Sequence, residues 1–426
     1  MKNIQKVSIA AAFALSLSAV AFAQAQFNVV PVKGSGVSAL TAINNSSQIL
    51  ANVGTDTSYE VSIWSRAAGF NALNLTGMNS GGAAIDGFGD VVGAGDPNNS
   101  GILQAFIWQP STGVQWLGSL GGGLSAASGV NDDGAVVGLS YTAANTQHAF
   151  LWTQDGGMQD LTPALTSIGG ATAVSINSFN QVAGYYFPNG SKSTIGFMWT
   201  EQGGLQDLGP AGTLALAVND SGTVVGQSPN AQGYKHAFSW TEGGGMTDLG
   251  TLGGVASSAL GINNKGWVVG TSLTKAGDGI LRAFLWTPSA GMQDLTTLAA
   301  ISKSLQPHSV QVNDFGVIVI STSAGLSIVS PKMNATIASS ANPSTLGQSV
   351  TFTATLSSIA GPPPDGEVVQ FTAGGKLLGS APLSNGIAQL TTSSIAVGSH
   401  MVTASYSGDA NYLPSTYQAL KQTVNK

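Results

Sequence analysis

The sequence predicts an all-β protein made of a seven-bladed β-propeller and a C-terminal β-sandwich. A ten-residue motif recurs seven times at nearly constant spacing, and a motif that ends in tryptophan follows each of the first six copies. Beyond residue 331 the repeat stops, and unrepeated segments of alternating apolar and polar residues take over. Each repeat holds four short β-like segments without helical periodicity, which is typical of propeller blades.

The N-terminus has the layout of a secretory signal peptide. Lys2 and Lys6 precede an apolar run over residues 8–20, and Ala21 to Ala23 offers a small-residue cleavage site. The run is shorter than the roughly 18 to 20 apolar residues of a membrane-spanning helix, and no later segment reaches that length. Ala23-Gln24-Ala25 is an equally suitable second cleavage site, and we expect residues 1–25 to be removed. The remaining chain is expected to be secreted, either free or held in the periplasm or at the cell surface, with no membrane span.

The composition excludes several classes of function. The chain of 426 residues contains no cysteine, which excludes thiol catalysis and cysteine-ligated zinc. Only 8% of the residues are charged while 43% are hydrophobic, so the chain is able to form a packed core. The net charge of −6 comes without any basic cluster, and we predict no nucleic-acid partner.

The repeated motif is clearest as GINNKGWVVG at Gly261–Gly270. Between its first two β-like segments lies N-x-x-G, whose glycine supplies the positive φ of a tight turn. Asn180 replaces that glycine in one copy, and asparagine tolerates positive φ better than most residues. The intervals between copies run from 42 to 50 residues. The residues that open the seven copies are Asn44, Asp86, Asn131, Asn177, Asn219, Asn263 and Asn313.

The tryptophan motif predicts the third strand of each blade. In HAFLW, Phe150 and Trp152 alternate with period two, so they lie on one face of the strand. Both side chains are large enough to fill the space between neighbouring blades. A segment such as GMQDL, which begins at Gly157, completes the blade as its fourth strand.

The two ends of the repeat region are expected to complete one blade together. Gly325–Pro331 aligns with the third strands of the other repeats, but no fourth-strand segment follows it. Phe27–Leu40 aligns with Met246–Leu260, so the N-terminal segment supplies the missing outer strand. This exchange closes the ring without a free edge. We predict a propeller over residues 26–331.

The order HAFLW, GMQDL and GINNKGWVVG resembles the extracellular HAF-repeat family of bacterial secreted proteins. The resemblance covers residues 27–331 and weakens in the first and seventh repeats. It implies a secreted repeat protein and brings no established activity with it.

Residues 332–426 are predicted to form a separate β-sandwich. Their alternating segments are separated by turn signals at the spacing expected of such a fold. Tyr406–Tyr412 (YSGDANY), preceded by GSHMVTASY, resembles the end of a bacterial Ig-like domain. The resemblance implies an Ig-like sandwich held together by packing alone, and domains of this kind commonly act as spacers or adhesive modules.

Candidate catalytic groups are few. His148 and His236 share one repeat position with Gln104 and Arg282, which favours a structural role. Asp132-Asp133-Gly134 lacks the spacing of a calcium loop and is predicted as a turn. One aspartate recurs in the fourth strand of several blades, where hydrogen bonding is favoured over acid–base chemistry: Asp160, Asp207, Asp248 and Asp294. We predict no catalytic residue, no metal and no cofactor.

The connections between the second and third strands vary most among the repeats. They lie on the same face of a propeller as the connections between blades, and four of them carry aromatic, amide and hydroxyl groups. Aromatic rings stack on the apolar faces of sugars while amides reach the hydroxyls. We therefore predict a ligand-binding rim made of Tyr141, Tyr185, Tyr186, Phe187, Tyr234 and Lys235.

Three functions stay open at this point. A monomeric, non-enzymatic binding or adhesion protein agrees best with the signal peptide and the scarcity of catalytic groups. Its propeller would recognise an extracellular glycan or a surface protein, and the Ig-like domain would act as a spacer or adhesive module. A structural component of an envelope or matrix would self-associate instead. A glycan-active extracellular enzyme would require converging acidic or histidine side chains on the loop face.

Overall fold

The structure, a computed structural model, describes residues 26–32, 37–55, 58–75, 80–163, 168–275, 279–299, 301, 306–416 and 419–426. The predicted signal peptide, residues 1–25, lies outside these residues. Within them, no helix has both the length and the apolar character needed to cross a membrane. The chain forms two compact units, one over Val29–Val329 and one that contains Ser330–Lys426.

Seven four-stranded sheets make up the first unit in the described part of the chain, which confirms the predicted propeller. Strand β1 (Phe27–Pro31) is separated from its own blade in the sequence. Blade one consists of β2 (Val37–Ile43), β3 (Ile49–Thr55), β4 (Ser58–Ser65) and β5 (Gly69–Ala72). Blade two consists of β6 (Gly81–Ile85), β7 (Val91–Gly95), β8 (Gln104–Gln109) and β9 (Gly113–Gly118). Blade three consists of β10 (Gly121–Val130), β11 (Val136–Thr142), β12 (Gln147–Thr153) and β13 (Gly157–Asp160).

The remaining blades follow the same order. Blade four consists of β14 (Ile168–Ile176), β15 (Val182–Pro188), β16 (Ile195–Thr200) and β17 (Gly204–Asp207). Blade five consists of β18 (Leu214–Val218), β19 (Val224–Pro229), β20 (Lys235–Thr241) and β21 (Gly245–Gly250). Blade six consists of β22 (Ser257–Ile262), β23 (Val268–Leu273), β24 (Leu281–Thr287) and β25 (Gly291–Asp294), and a single helical turn, α1 (Leu295–Leu298), follows it. Blade seven contains β26 (Pro307–Val312), β27 (Ile318–Thr322) and β28 (Gly325–Pro331).

The N-terminal strand closes the ring, as predicted. The sheet of blade seven has the order β1-β28-β27-β26, so β1 is its outer strand. Just beyond β1, the backbone N–H of Val32 donates to the oxygen of Leu326 at 3.0 Å. The side chain of Val32 is buried with Leu40 of blade one and Val317 of blade seven. The first and last parts of the repeat region therefore share one core.

In six of the seven repeats, the residue that opens the turn also joins its blade to the next. In blade six, Oδ1 of Asn263 accepts the backbone N–H groups of Lys265 and Trp267 at 3.1 and 2.9 Å. Its Nδ2 donates across the blade boundary to the backbone oxygen of Asn313 at 2.9 Å. Donation from Nδ2 to the opening residue of the next blade is shared by Asn44, Asn131, Asn177, Asn219, Asn263 and Asn313. We call this set of bonds the inner ring.

The second residue of the turn forms a further set of inter-blade bonds. The backbone N–H of Asn264 donates to Oδ1 of Asp314 at 2.7 Å, and the N–H of Asp314 donates to Oδ1 of Asn45 at 2.9 Å. The N–H of Gly87 reaches Oδ1 of Asp132 in the same way at 2.7 Å. The recurrence of Asn or Asp at the first two motif positions thus has a physical cause, because both positions supply acceptors and an asparagine at either position also supplies a donor.

The turn glycines have the conformation that the sequence predicts. Gly134, Gly222, Gly266 and Gly316 have φ between 71° and 75°, and Asn180 has φ 56°. The glycine of the VVG segment is required for a different reason. It lies in the second strand of its blade, where the backbone of the first strand comes very close. A Cβ on Gly226 would collide with the backbone oxygen of Leu214.

Phenylalanines of the third strands fill the spaces between blades. Phe150 and Trp152 are buried together with Val92 and Ala105 of blade two, which confirms the predicted shared face. Large side chains buried between rigid sheets account for most of the favourable free energy of such an interface. The equivalent, almost fully buried phenylalanines are Phe106, Phe150, Phe197, Phe238 and Phe284.

The second unit is a two-sheet sandwich, as predicted. One sheet has the order β29-β31-β34, from β29 (Asn334–Ser339), β31 (Val350–Ser357) and β34 (Ile387–Thr392). The other contains β30 (Ser344–Thr345), β32 (Val368–Ala373), β33 (Lys376–Pro382), β35 (Gly398–Tyr406), β36 (Ser415–Thr416) and β37 (Leu420–Asn425). The segment Ser415–Val424, which the alternating pattern predicts as one last strand, forms two strands, β36 and β37, and the short parallel pair β30–β37 was not predicted.

The YSGDANY segment forms a hydrogen-bonded turn around one carboxylate. Oδ1 of Asp409 accepts the backbone N–H groups of Asn411 and Tyr412, both at 2.7 Å, and Oδ2 accepts the hydroxyl of Tyr406 at 2.9 Å. The side chains of Tyr406 and Tyr412 are both 1% exposed. Burial, with a further contribution from Asp409, raises the pKa of Tyr412 to about 12 and also raises the pKa of Tyr406.

Candidate functional site

The propeller has two different faces. The N-x-x-G turns and the turns between third and fourth strands lie on one of them, which we call the turn face. The connections between second and third strands and those between blades lie on the other, which we call the rim face, because the strands of a blade alternate in direction. All six predicted ligand-binding residues lie on the rim-face half of their blades.

The predicted rim loops are shorter than expected, and this part of the prediction is wrong. Tyr141 lies in β11, Tyr185 to Phe187 lie in β15, and Lys235 begins β20. Only Tyr234 belongs to a connection, where its side chain is 50% exposed. Aromatic residues favour strands, and here their backbones pair with the neighbouring strand as far as the edge of the sheet. Their side chains are consequently half-buried on the sides of blades, except at Tyr234 and Lys235.

Tyr186 faces blade three and Tyr185 faces blade five. Tyr186 packs on a cluster that contains Ala149 and Leu151 of blade three, and its hydroxyl donates to the carboxylate of Asp207 at 3.2 Å. Burial, and then the charge of Asp207, raises the pKa of Tyr186. Successive side chains of a strand point to opposite faces, so Tyr185 lies on the other side of β15.

Tyr185 and Phe187 form an aromatic pair on that other side. Their ring centroids are 6.0 Å apart and their planes are 86° apart, which is an edge-to-face contact. Ala183, two residues earlier on the same side, packs against Phe238 of blade five. The structure thus divides the predicted rim between the two boundaries of blade four and does not gather it into one patch.

The connection that carries Tyr234 is held by a chain of polar side chains in blade five. Oδ1 of Asn230 accepts the backbone N–H groups of Gln232 and Tyr234, both at 3.0 Å. Nδ2 of Asn230 contacts Nε2 of His236 at 3.2 Å, and Nδ1 of His236 contacts the carboxylate of Asp248 at 2.9 Å. An amide N–H requires an acceptor, so Nε2 of His236 is placed to accept from Asn230 while Nδ1 faces the carboxylate of Asp248. We call Asn230, Tyr234, His236 and Asp248 the blade-five site.

A cavity of about 280 Å³ lies beside these residues. Ser228, Asn230, His236 and Asp248 supply its hydrogen-bonding groups, and Phe238 and Met246 supply apolar surface. Its volume is near the lower end of the range for small-molecule pockets, which fits one small ring with several polar substituents. Tyr234 was predicted as a rim residue from the sequence, whereas His236 and Asp248 were predicted to have structural roles only.

The histidine–aspartate pair recurs in blade three, as its repeat position predicts. Nδ1 of His148 contacts Oδ2 of Asp160 at 2.8 Å. There Thr142, the last residue of β11, occupies the position of Asn230 in blade five. The pair therefore has a structural role shared by two blades. In blade five the histidine also contacts Asn230, which belongs to a rim connection. The shared spacing of twelve residues between histidine and aspartate was the available sequence signal.

The turn face carries a second polar cavity that the sequence analysis did not identify. Residues of all seven blades line it around the axis, and its volume is about 350 Å³. The nearby turns expose the side chains of Phe88 and Phe179, which are 74% and 70% exposed. Among the described residues, no group of three or more His, Cys, Asp or Glu side chains is arranged to hold a metal ion. Four carboxylates line this cavity: Asp86, Asp132, Asp220 and Asp314.

Comparison with solved structures finds β-propellers of low sequence identity. A streptogramin B lyase is 14% identical, with 73% of this chain and 99% of the lyase covered and a TM-score of 0.46. Virginiamycin B lyase from Staphylococcus aureus is 11% identical, with coverages of 71% and 98% and a TM-score of 0.43. A gluconolactonase from Xanthomonas campestris is 12% identical, with coverages of 71% and 97% and a TM-score of 0.35. These similarities concern the fold only.

Comparison of sequences assigns the C-terminal unit. Among curated proteins, none matches the chain significantly. The family model described as bacterial Ig-like domain (group 3) matches residues 337–425, which contain the described strands of the sandwich from Ile337 onward. The C-terminal part of this chain is therefore a bacterial Ig-like domain.

Proposed function

We propose that this chain is a secreted, non-enzymatic binding protein whose propeller recognises a neutral glycan through the blade-five site. The observation that carries the proposal is the cavity beside Asn230, His236 and Asp248, together with the exposed side chain of Tyr234 on the connection that Asn230 holds. Its wall combines apolar surface with hydroxyl, amide, imidazole and carboxylate groups. That combination suits a sugar ring, which has apolar C–H faces and a rim of hydroxyls.

The polar chain in blade five supports binding because it fixes the position of the connection. Asn230 holds the backbone of Gln232 and Tyr234, and His236 holds Asn230. A connection organised in advance loses less conformational freedom when a ligand binds. Asp248 accepts from the imidazole and keeps further lone pairs for sugar hydroxyls.

Tyr185 and Phe187 of blade four offer additional aromatic surface on the side of β15 that faces blade five. Tyr141, Tyr186 and Lys235, the other predicted rim residues, are assigned supporting roles. The N-terminal signal sequence and the resemblance to the HAF-repeat family support an extracellular location. The bacterial Ig-like domain would then serve as a spacer or adhesive module.

The proposal is tested by a glycan-array screen of the chain without residues 1–25. Y234A and D248N are the site variants, and F179A is the control because it removes an exposed aromatic side chain from the turn face. We expect binding of neutral glycans by the starting protein and by F179A, with at least a tenfold loss in both site variants. Equal binding by all four proteins would contradict the placement of the site. No binding by well-folded protein would contradict sugar recognition and favour a protein partner or a structural role.

A further inference from the structure

The inner ring has one interruption, at Asp86. Six opening residues donate from Nδ2 to the next blade at 2.7–3.1 Å. Asp86 holds its own turn as the asparagines do, because Oδ1 accepts the N–H groups of Phe88 and Asp90 at 3.0 and 2.8 Å. Its second oxygen, Oδ2, stands where the other blades have Nδ2. An ionised carboxylate has no hydrogen to donate, so the bond to the backbone oxygen of Asn131 is missing.

Burying Oδ2 of Asp86 without a hydrogen-bond partner lowers the stability of the folded protein. Oδ2 is buried and has no hydrogen-bond partner among the described residues, and the whole side chain is only 4% exposed. A buried, unpartnered acceptor opposite the position of another acceptor is destabilising, and more so when it is charged. A single proton on Oδ2 would remove the charge and convert the oxygen into the donor that this position lacks.

We propose that Asp86 is a proton-operated link of the propeller ring, which joins blade two to blade three when its carboxyl group is protonated and releases that bond when it ionises. The inference is independent of the proposed function, because Asp86 lies at the turn face and the blade-five site lies at the rim face. Protonation also removes one of the four carboxylate charges that line the turn-face cavity.

The groups around Asp86 set the pH at which the link changes. Burial is the largest influence and raises the pKa of Asp86 to about 6, against the lowering effect of the N–H groups of Asp90 and Phe88. The carboxylates of Asp90, which follows the turn, and Asp132, on blade three, raise it further. Blade one contributes the uncharged amide of Asn44, which donates to the backbone oxygen of Asp86. Farther around the cavity lie Asp220 and Asp314, and the nearby ammonium of Lys265 donates to the backbone oxygen of Asp314.

The direction of the effect follows from the raised pKa. The folded protein holds this proton more tightly than the unfolded chain, whose aspartate has the ordinary pKa of 3.8. Folding stability from this group is therefore present at low pH and is lost as the pH rises from about 4 to about 6. Above that range the link is absent.

The test compares melting temperatures of the wild type, D86N and N177D between pH 4.5 and pH 8. Tryptophan fluorescence reports the propeller alone, because all eight tryptophans lie between Trp64 and Trp286. D86N supplies the missing amide donor in the same shape, and we expect it to raise the Tm at pH 7.5 by about 3–6 °C. At pH 4.5 the gain should shrink to a small fraction of this value.

N177D is the reciprocal variant, because it places an aspartate at the same position of blade four. We expect it to lower the Tm at pH 7.5 and to recover at pH 4.5. The proposal is overturned if D86N melts no higher than the wild type at pH 7.5, or if its gain is equal at both pH values. It is also overturned if N177D melts like the wild type at pH 7.5.

Discussion

Nδ2 of Asn313 donates to the backbone oxygen of Asn44 at 3.1 Å, although the two residues are 269 positions apart in the chain. The bond joins blade seven to blade one and repeats the bond that consecutive blades make elsewhere. Together with β1, which pairs with β28 at the outside of blade seven, it closes the ring at both its inner and outer edges. The ring is therefore stabilised by the same local device at the closure as along the chain.

Replacing Asn313 by alanine should destabilise the propeller by about 2–4 kcal/mol. The substitution removes the acceptor of the buried N–H of Val317 and of the partly buried N–H of Phe315, and it removes the donor to Asn44. Denaturant unfolding followed by tryptophan fluorescence measures the free energy of unfolding. Asn189, exposed in a rim connection, is the control, and N189A should change that free energy by less than about 0.5 kcal/mol. Equal values for the two variants would contradict a closing role for Asn313.

Replacing the glycine of the VVG segment by any residue with a side chain should destabilise the propeller. In G226A the new Cβ would collide with the backbone oxygen of Leu214, so the paired strands β18 and β19 would have to move apart. We expect a loss of about 1–3 kcal/mol in the free energy of unfolding.

Gly243 provides the matched control for that substitution. A Cβ there would meet no atom within 4 Å. G243A should therefore leave the stability of the propeller unchanged or slightly raised, because alanine reduces the freedom of the unfolded chain. The interpretation fails if G226A is as stable as G243A.

Asp409 should be the most sensitive acidic residue of the Ig-like domain. D409A removes the acceptor of two backbone N–H groups and of the Tyr406 hydroxyl, and we expect a loss of about 2–4 kcal/mol. Calorimetry detects the unfolding of this domain, which contains no tryptophan. Asp365 accepts one N–H at an exposed position, so D365A should cost well under half as much. Similar losses in the two variants would argue against a central role for the Asp409 turn.

The Ig-like domain should lose stability in alkali. Burial raises the pKa of Tyr412 to about 12, while a tyrosine of the unfolded chain ionises near its ordinary pKa of 10.0. The folded domain therefore binds more protons than the unfolded chain in this interval, and its stability falls as the pH rises from about 10 to about 12. Calorimetric melting at pH 9, 10 and 11 measures the decline. In Y412F the decline should be less steep, and an unchanged slope would show that Tyr412 is not its source.

The sequence predicted the architecture well because the repeat carries it. The alignment of Phe27–Leu40 with an internal outer strand was sufficient to predict the closure by β1. The glycine at the end of N-x-x-G was explained correctly by positive φ, since that requirement is local. The extension of β15 through Tyr185 and Phe187 was missed, because variability among repeats indicated a loop although aromatic residues favour a strand.

The candidate site was predicted only in part, for a related reason. Tyr234 was identified from its connection, but His236 and Asp248 act together with Asn230, and that contact depends on how the connection folds back. The inner ring shows the same limit. The seven opening residues were found in the sequence, yet the use of Nδ2 as a bond to the next blade is a property of the assembled ring. The sequence shows one aspartate, Asp86, among six asparagines. Its effect on the ring could not be predicted without knowing the inter-blade bond that Nδ2 makes.

A disulfide between blades one and seven tests the closed ring most directly. Nδ2 of Asn45 donates to Oδ2 of Asp314 at 2.8 Å, and the chain has no cysteine of its own. The double variant N45C/D314C should form an intramolecular disulfide under mild oxidation, found by mass spectrometry as a cross-linked peptide pair. The pair N45C/D220C, which joins blades one and five, should remain reduced. A folded N45C/D314C protein that forms no disulfide, or that forms it no more readily than N45C/D220C, would contradict a ring closed between Asn45 and Asp314.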